Sequence, residues 1–314
     1  MTRPDDSLLD PHQLATVQKH ADGLLREASA IGRYPTPIDD LLAAAKLTVV
    51  DDEVLNESML QQFVQKAKAG LSTIKSALSK VLGLFESHER LVVIDREAPK
   101  PRIPFIKLHE AGHGTIPHQN KIYRLIHDCE KTLDSDIADL FEREANVFAS
   151  EVLFQGEGFS LEAHDQSFSI KVPMALKTKY GGSHYATFRR YVITNPHACC
   201  VVVLEKAVYD EDDEFGSAEV RRVVASKSFE TIFDSQKLCY TVTGDHPVRP
   251  AVPRKGKRMS FAREIILVDR NGEEHVCIGE AFYTHHQTHV LIRDCGRRTR
   301  TGILVPGNAA GMRR

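Results

Sequence analysis

The sequence predicts an α+β chain, mostly helical in its first half and β-rich in its last third. Three observations carry this. Apolar residues recur at helical spacing over residues 8–31 and 135–153. A Gly181-Gly182 pair separates two short helical stretches within residues 173–194. Beyond them, short apolar runs at Cys199–Leu204, Arg222–Ala225, Leu238–Val242 and Glu264–Val268 read as strands. We therefore expect three segments: a mostly helical domain at 1–160, a helix-turn-helix-like pair at 161–198 and a β-rich domain at 199–314.

Each element has a local reason. Leu14, Val17, Ala21 and Leu25 form the stripe of the first helix. Thr36-Pro37-Ile38-Asp39 reads as a helix start, with a capping hydroxyl, a proline at the first helical position and acids in the first turn. Leu47-Thr48-Val49-Val50 and Leu91-Val92-Val93-Ile94-Asp95 are strand candidates, and Leu60 to Leu82 carries a long helical pattern between them. Pro104 is placed to open the next helix. Ile137, Phe141, Ala145, Phe148 and Val152 make the stripe of a helix from about 135 to 153. Ser183 is a capping residue for the second member of the helical pair. Asp269-Arg270-Asn271-Gly272, between apolar runs, signals a hairpin turn. Asp210-Glu211-Asp212-Asp213-Glu214 reads as a solvated acidic loop.

Bulk composition narrows the function classes. With 314 residues, 42% of them hydrophobic, the chain has enough apolar material for more than one core. A formal net charge of -2 argues against a global basic field for nucleic acid. Six cysteines without CxxC spacing read as buried thiols of a reducing compartment. No basic segment followed by an apolar run opens the chain, and no run of about 18 apolar residues occurs. The expectation is a cytoplasmic protein without a membrane partner.

The chemistry is concentrated in His109-Glu110-Ala111-Gly112-His113. Residues i and i+4 share a helix face, so His109 and His113 can present both imidazoles to one ion. Glu110 is rotated about 100° away, beside the ion rather than on it, where it could deprotonate the attacking water. The chain has 15 histidines, so the motif needs context. Phe105 and Ile106, one turn upstream on the histidine side, suit a helix packed inside a domain. A catalytic zinc takes three protein ligands and leaves one position open. Two glutamates on the later helix compete for the third. Glu142 lies beside Ala138, Ala145 and Ala149, an edge that allows close helix approach. Glu144 lies beside Leu140 and Phe148. Periodicity gives Glu142 a modest lead. Tyr123, His118 and His127 are near enough in sequence to serve an oxyanion, and no motif selects among them.

The stretch Arg102-Ile103-Pro104-Phe105-Ile106-Lys107-Leu108-His109-Glu110-Ala111-Gly112-His113, followed by Glu142-Arg143-Glu144-Ala145-Asn146-Val147-Phe148-Ala149, resembles the ImmA/IrrE family of zinc metallopeptidases. The resemblance runs over about residues 35–195. It implies a zincin-like fold for 1–160, a Zn2+ cofactor held by His109, His113 and Glu142, and Glu110 as general base. Asn146 would support a ligand from behind. It also implies the substrate, a helix-turn-helix transcriptional repressor cleaved to induce genes after stress. The segment between the two motifs does not align residue by residue, and residues beyond about 200 match no family pattern; a sensor or substrate-binding role is expected there.

Two other clusters compete with this reading. His285-His286-x-x-His289, with Cys295 nearby, could bind metal, but these histidines lie in one β-like run, Ala281–Ile292, where neighbours alternate faces. Lys177, Lys179, Arg189 and Arg190 around the glycine pair could touch DNA, and Arg249, Arg254, Lys255, Lys257 and Arg258 could contact phosphate. A structural role for the helical pair is favoured over direct nucleic-acid binding. The alternative to an enzyme is a non-catalytic DNA-binding or ligand-sensing regulator.

Overall fold

The computed structural model describes residues 9–51, 83–87, 90–94, 98–129, 135–210 and 215–298. By contact density the chain divides into two units, Met1–Pro196 and His197–Arg314. The expected long helix over Leu60–Leu82 lies outside the described residues.

The first unit begins with helix α1 (Pro11–Glu27). Asp10 caps it by accepting from the His12 and Gln13 amides, and the Gln13 side chain accepts in return from the Asp10 amide. Its buried stripe is Val17, Ala21, Leu24 and Leu25. Helix α2 (Ile38–Ala44) follows Pro37, and the Thr36 hydroxyl, expected to cap it, instead donates to the Leu153 carbonyl at 2.8 Å. Strands β1 (Thr48–Asp51), β2 (Gly83–Glu86) and β3 (Leu91–Ile94) form a small sheet ordered β1-β3-β2. β1 runs parallel to β3 and β2 antiparallel to it, which leaves β2 on an edge.

A 3-10 turn at Lys100–Arg102 leads into helix α3 (Ile103–Thr115), with Pro104 in its first turn where no amide donor is needed. Helices α4 (Pro117–Cys129) and α5 (Ser135–Leu153) come next. α5 is the spine of the unit and packs against both α1 and α3. Its fully buried residues include Phe141, Ala145, Phe148, Ala149 and Val152. Helices α6 (Glu157–His164), α7 (Lys171–Tyr180) and α8 (His184–Ile193) complete the unit. Gly181 takes the left-handed conformation that ends α7, with φ of 78°. The Ser183 hydroxyl caps α8 by accepting from the Ala186 amide at 3.1 Å.

The second unit is an antiparallel five-stranded sheet of order β7-β4-β10-β9-β8. Its strands are β4 (Cys199–Leu204), β7 (Val220–Ala225), β8 (Arg263–Val268), β9 (Glu274–Tyr283) and β10 (Thr288–Arg297), joined by a two-stranded ribbon of β5 (Val208–Tyr209) and β6 (Phe215–Ser217) and a short helix α9 (Lys227–Ile232). All six residues of β4 are buried, so it reads as an uninterrupted apolar run. Cys200, Val202, Leu204, Phe229, Phe233 and Ile292 share its core. The turn after β8 forms as expected, with the Asp269 carboxylate accepting from the Asn271 and Glu273 amides at 2.8 and 2.9 Å.

The structure corrects three expectations here. Leu238–Val242 is not a strand: Ser235–Leu238 is a 3-10 turn, and Val242 makes only an isolated bridge to Ala218. The run Ala281–Ile292 is two strands, β9 and β10, broken by a loop in which His285 has a left-handed φ of 73°. Cys295 is exposed, whereas Cys199, Cys200 and Cys277 are buried free thiols. Of the acidic loop only Asp210 is described, and it is exposed. Among the described residues no helix is long and apolar enough to cross a membrane.

Candidate metal centre

Close approach of α3 and α5 makes the centre. Gly112 on α3 faces Ala145 on α5; a Cβ at Gly112 would stand 3.2 Å from the Ala145 Cα and 3.3 Å from Phe148 Cδ1. Both helices therefore bring backbone against backbone, and long side chains one turn away meet across the contact. His109 and His113, at i and i+4, turn their rings the same way with centroids 5.0 Å apart.

Glu142 on α5 meets them. Its carboxylate oxygens lie 3.2 Å from His109 Nε2 and 3.5 Å from His113 Nε2. The three ligand atoms lie within 4.8 Å of one another, and among the described residues this is the one such group able to hold a metal ion. His113 is buried, His109 half-buried and Glu142 exposed, so the group opens to solvent on the carboxylate side. Glu144, two residues along α5, is buried and turned away toward α4.

Each imidazole is held through its other nitrogen. His109 Nδ1 lies 3.1 Å from Asn146 Oδ1, one helical turn beyond Glu142. His113 Nδ1 lies 2.7 Å from Gln119 Oε1. The orientation of the Gln119 amide is fixed from behind, because its NH2 donates to Glu144 Oε2 at 2.6 Å and to the Phe141 carbonyl at 3.3 Å. Its oxygen must then face His113, which requires the proton on Nδ1 and leaves the Nε2 lone pair free toward Glu142. His118 closes the chain with Nε2 2.7 Å from Glu144 Oε2. The donor set of two Nε2 atoms and a carboxylate oxygen, with both rings fixed through Nδ1, fits a divalent transition-metal ion.

Glu110 is buried beside this group, and the Phe85 amide of edge strand β2 hydrogen-bonds its carboxyl. Burial raises its pKa above the ordinary carboxylate value, partly offset by the two imidazoles. For Glu142, whose side chain is exposed but whose oxygens sit between the rings, partial loss of solvent acts upward, and the charged forms of His109 and His113 beside it outweigh this and hold the carboxyl well below the usual range. For His109, burial acts downward and is outweighed by the Glu142 hydrogen bond and the charges of Glu110 and Glu142, so its pKa is raised. A site of one anion beside imidazoles that share its charge is electrostatically prepared for a cation. Tyr123 packs its ring edge against His113 with centroids 5.4 Å apart, and burial pushes its phenol pKa up, so it stays a neutral hydroxyl.

Sequence reasoning missed Gln119 and the Phe85 amide. A neutral amide and a backbone group leave no mark in a motif. The other weighed residues are elsewhere. His285 and His286 are exposed in the β9–β10 turn, and His289 is buried on β10. Lys179 pairs with Glu162 at 2.8 Å and lies over the Tyr34 ring, while Arg190 is buried against Glu151. Two of the four cations weighed for DNA on the helical pair are thus occupied within the fold.

No curated protein sequence matches the chain. A solved structure described as a Mycobacterium tuberculosis transcriptional regulator is similar over 89% of this chain and 88% of that one, at 12% identity and a TM-score of 0.48. A family model described as the IrrE N-terminal-like domain, Peptidase_M78, matches residues 66–190, from ahead of β2 to within α8. That match, with the motif helix and α5 inside it, supports an ImmA/IrrE family assignment for residues 66–190.

Proposed function

We propose that the chain is a zinc-dependent endopeptidase that cleaves a helix-turn-helix transcriptional repressor in the cytoplasm. The observation that carries the reading is the convergence of His109 Nε2, His113 Nε2 and the Glu142 carboxylate across the α3–α5 contact, each ring held through Nδ1. The family of residues 66–190 supports the same chemistry, and the substrate class comes from the resemblance of the two motifs to ImmA/IrrE proteins. In this reading residues 1–160 carry the peptidase, the pair at 161–198 is structural, and 199–314 serves as a sensor or substrate-binding domain.

His109, His113 and Glu142 hold the ion. When bound, zinc supplies Lewis acidity that activates water and polarises the scissile carbonyl. Glu110 takes the proton from the attacking water and delivers it to the leaving amine. Its burial and raised pKa suit this, since a base must also hold the proton long enough to return it. The Phe85 amide keeps the Glu110 carboxyl aimed while the proton is carried.

Two measurements test the proposal. Purified protein should carry about one zinc per chain, and His109→Ala and Glu142→Ala should each lose it. A candidate repressor co-expressed with the chain should be cut by the wild type and left intact by Glu110→Gln, which keeps its zinc. Equal cleavage by both proteins would remove the peptidase assignment.

A further inference from the structure

A second site lies wholly within the His197–Arg314 unit. The loop Pro253–Arg258, the link from β4 to β5 and the β9–β10 turn enclose a concavity of about 320 Å3. Lys206, Arg254, Lys255, Lys257 and Arg258 line it, and no carboxylate does among the described residues. Five of its twelve lining residues are therefore cationic. Asp210, next to Tyr209 in sequence, is exposed and not part of the lining.

The backbone fixes the hollow. The Tyr283 amide donates to the Arg258 carbonyl at 2.7 Å, and the Ser260 amide to the Ala281 carbonyl at 3.0 Å, tying the basic loop to β9. Gly256, with φ of 76°, makes the turn that lets the Lys257 amide reach the Arg254 carbonyl at 3.0 Å. The Tyr283 hydroxyl donates to the His285 carbonyl at 2.8 Å, in the turn where His285 holds its left-handed conformation. Such backbone strain is found where a surrounding site over-determines it. Tyr209 and Tyr283 give the hollow aromatic surface, and the Lys255 ammonium lies 5.7 Å from the Tyr209 ring centroid.

Guanidinium and ammonium groups around one hollow can each donate a charge-assisted hydrogen bond to a phosphate oxygen. The volume matches the lower end of small-molecule sites. A DNA duplex is met by a projecting element or an extended basic stripe, not from inside a hollow of this size. Cations together with ring faces select a ligand bearing both phosphate and a planar ring.

We propose that this concavity binds a small phosphorylated ligand of the nucleotide class, its phosphates held by Arg254, Lys255, Lys257 and Arg258 and its ring laid against Tyr209. This deepens the sensor role proposed for residues 199–314. It does not depend on the metal centre, so the two can fail separately.

Titration calorimetry on the full chain at fixed ionic strength tests it, with adenosine diphosphate, pyrophosphate, sulfate and a short DNA duplex as probes. Adenosine diphosphate should bind saturably. Lys255→Ala/Arg258→Ala should weaken it about tenfold or more, as lost charge-assisted hydrogen bonds imply. Tyr209→Ala should weaken the nucleotide and leave pyrophosphate unchanged. Lys177→Ala, on the other unit, should change nothing. Unaltered circular dichroism and urea-unfolding midpoint show that the variants fold, and the single change Lys257→Ala replaces the double variant if that one does not. Absence of saturable nucleotide binding, equal binding by the variants, displacement by sulfate as effective as by pyrophosphate, or preferential binding of the duplex through the same residues would each overturn the proposal.

Discussion

Helix α5 carries two glutamate sites, Glu142 near its middle and Glu151 toward its C-terminal end, and they are completed differently. At Glu151 the fold supplies the counter-charge itself. The buried Arg190 donates to both carboxylate oxygens at 2.7 and 3.0 Å and to the Gly156 carbonyl at 2.8 Å. At Glu142 the structure gives only imidazoles as partners, at 3.2 and 3.5 Å. The Glu151 end is a closed account of charge, and it joins α8 to the spine. The Glu142 end has acceptors, orienting hydrogen bonds and an opening to solvent, but no permanent cation among these contacts. A carboxylate that the fold completes is scaffold; one that it leaves to an outside ion is a site.

The largest expected effect breaks the closed end. Arg190→Ala leaves Glu151 buried without its partner and should destabilise the first unit by about 3–5 kcal/mol in urea denaturation followed by helix signal. The double change Glu151→Gln/Arg190→Met should recover part of that loss. Next comes the open end. Zinc at a hundredfold excess over its dissociation constant should stabilise the wild type by about 2.7 kcal/mol and Glu142→Ala not at all. Equal stabilisation of both would mean that the ion binds elsewhere.

The supporting shell sharpens the contrast. Gln119→Leu removes the acceptor that orients His113 and should weaken zinc roughly 10–100-fold in competition with a chelator, with Asn146→Ala acting similarly through His109. Glu144→Ala should weaken it less, since Gln119 keeps its bond to the Phe141 carbonyl. The smallest effect lies in the sheet unit. His246 is buried and its pKa is lowered, chiefly by burial. Below the ordinary imidazole value near 6.5 the unfolded chain takes up a proton that the folded one refuses, so stability should fall as pH drops through and below that value. His246→Phe should flatten that part of the stability profile.

The sequence made some of this legible and hid the rest for physical reasons. The stripe of α5, the i and i+4 histidines and the Ser183 cap are local periodicities, and the structure has each. The choice between Glu142 and Glu144 turned on an alanine edge, which is a packing argument; the coordinates turn one carboxylate to the histidines and the other to Gln119. The Arg190–Glu151 pair spans 39 positions and Gln119 reaches Glu144 across 25, separations with no periodic signature. The break between β9 and β10 was read as continuous because its loop, Thr284–Gln287, contains neither glycine nor proline. There His285 takes the conformation a glycine would usually announce.

One small contact sets the tolerance of the whole centre. Hydrogen at position 112 is the only substituent that lets α3 lie this near to Ala145. A methyl there would act as a shim between the helices, prising Glu142 from the imidazoles by a few tenths of an ångström or more. Gly112→Ala should therefore leave a helical, folded protein with a loosened grip on its ion, because coordination bonds tolerate far less slack than apolar packing does.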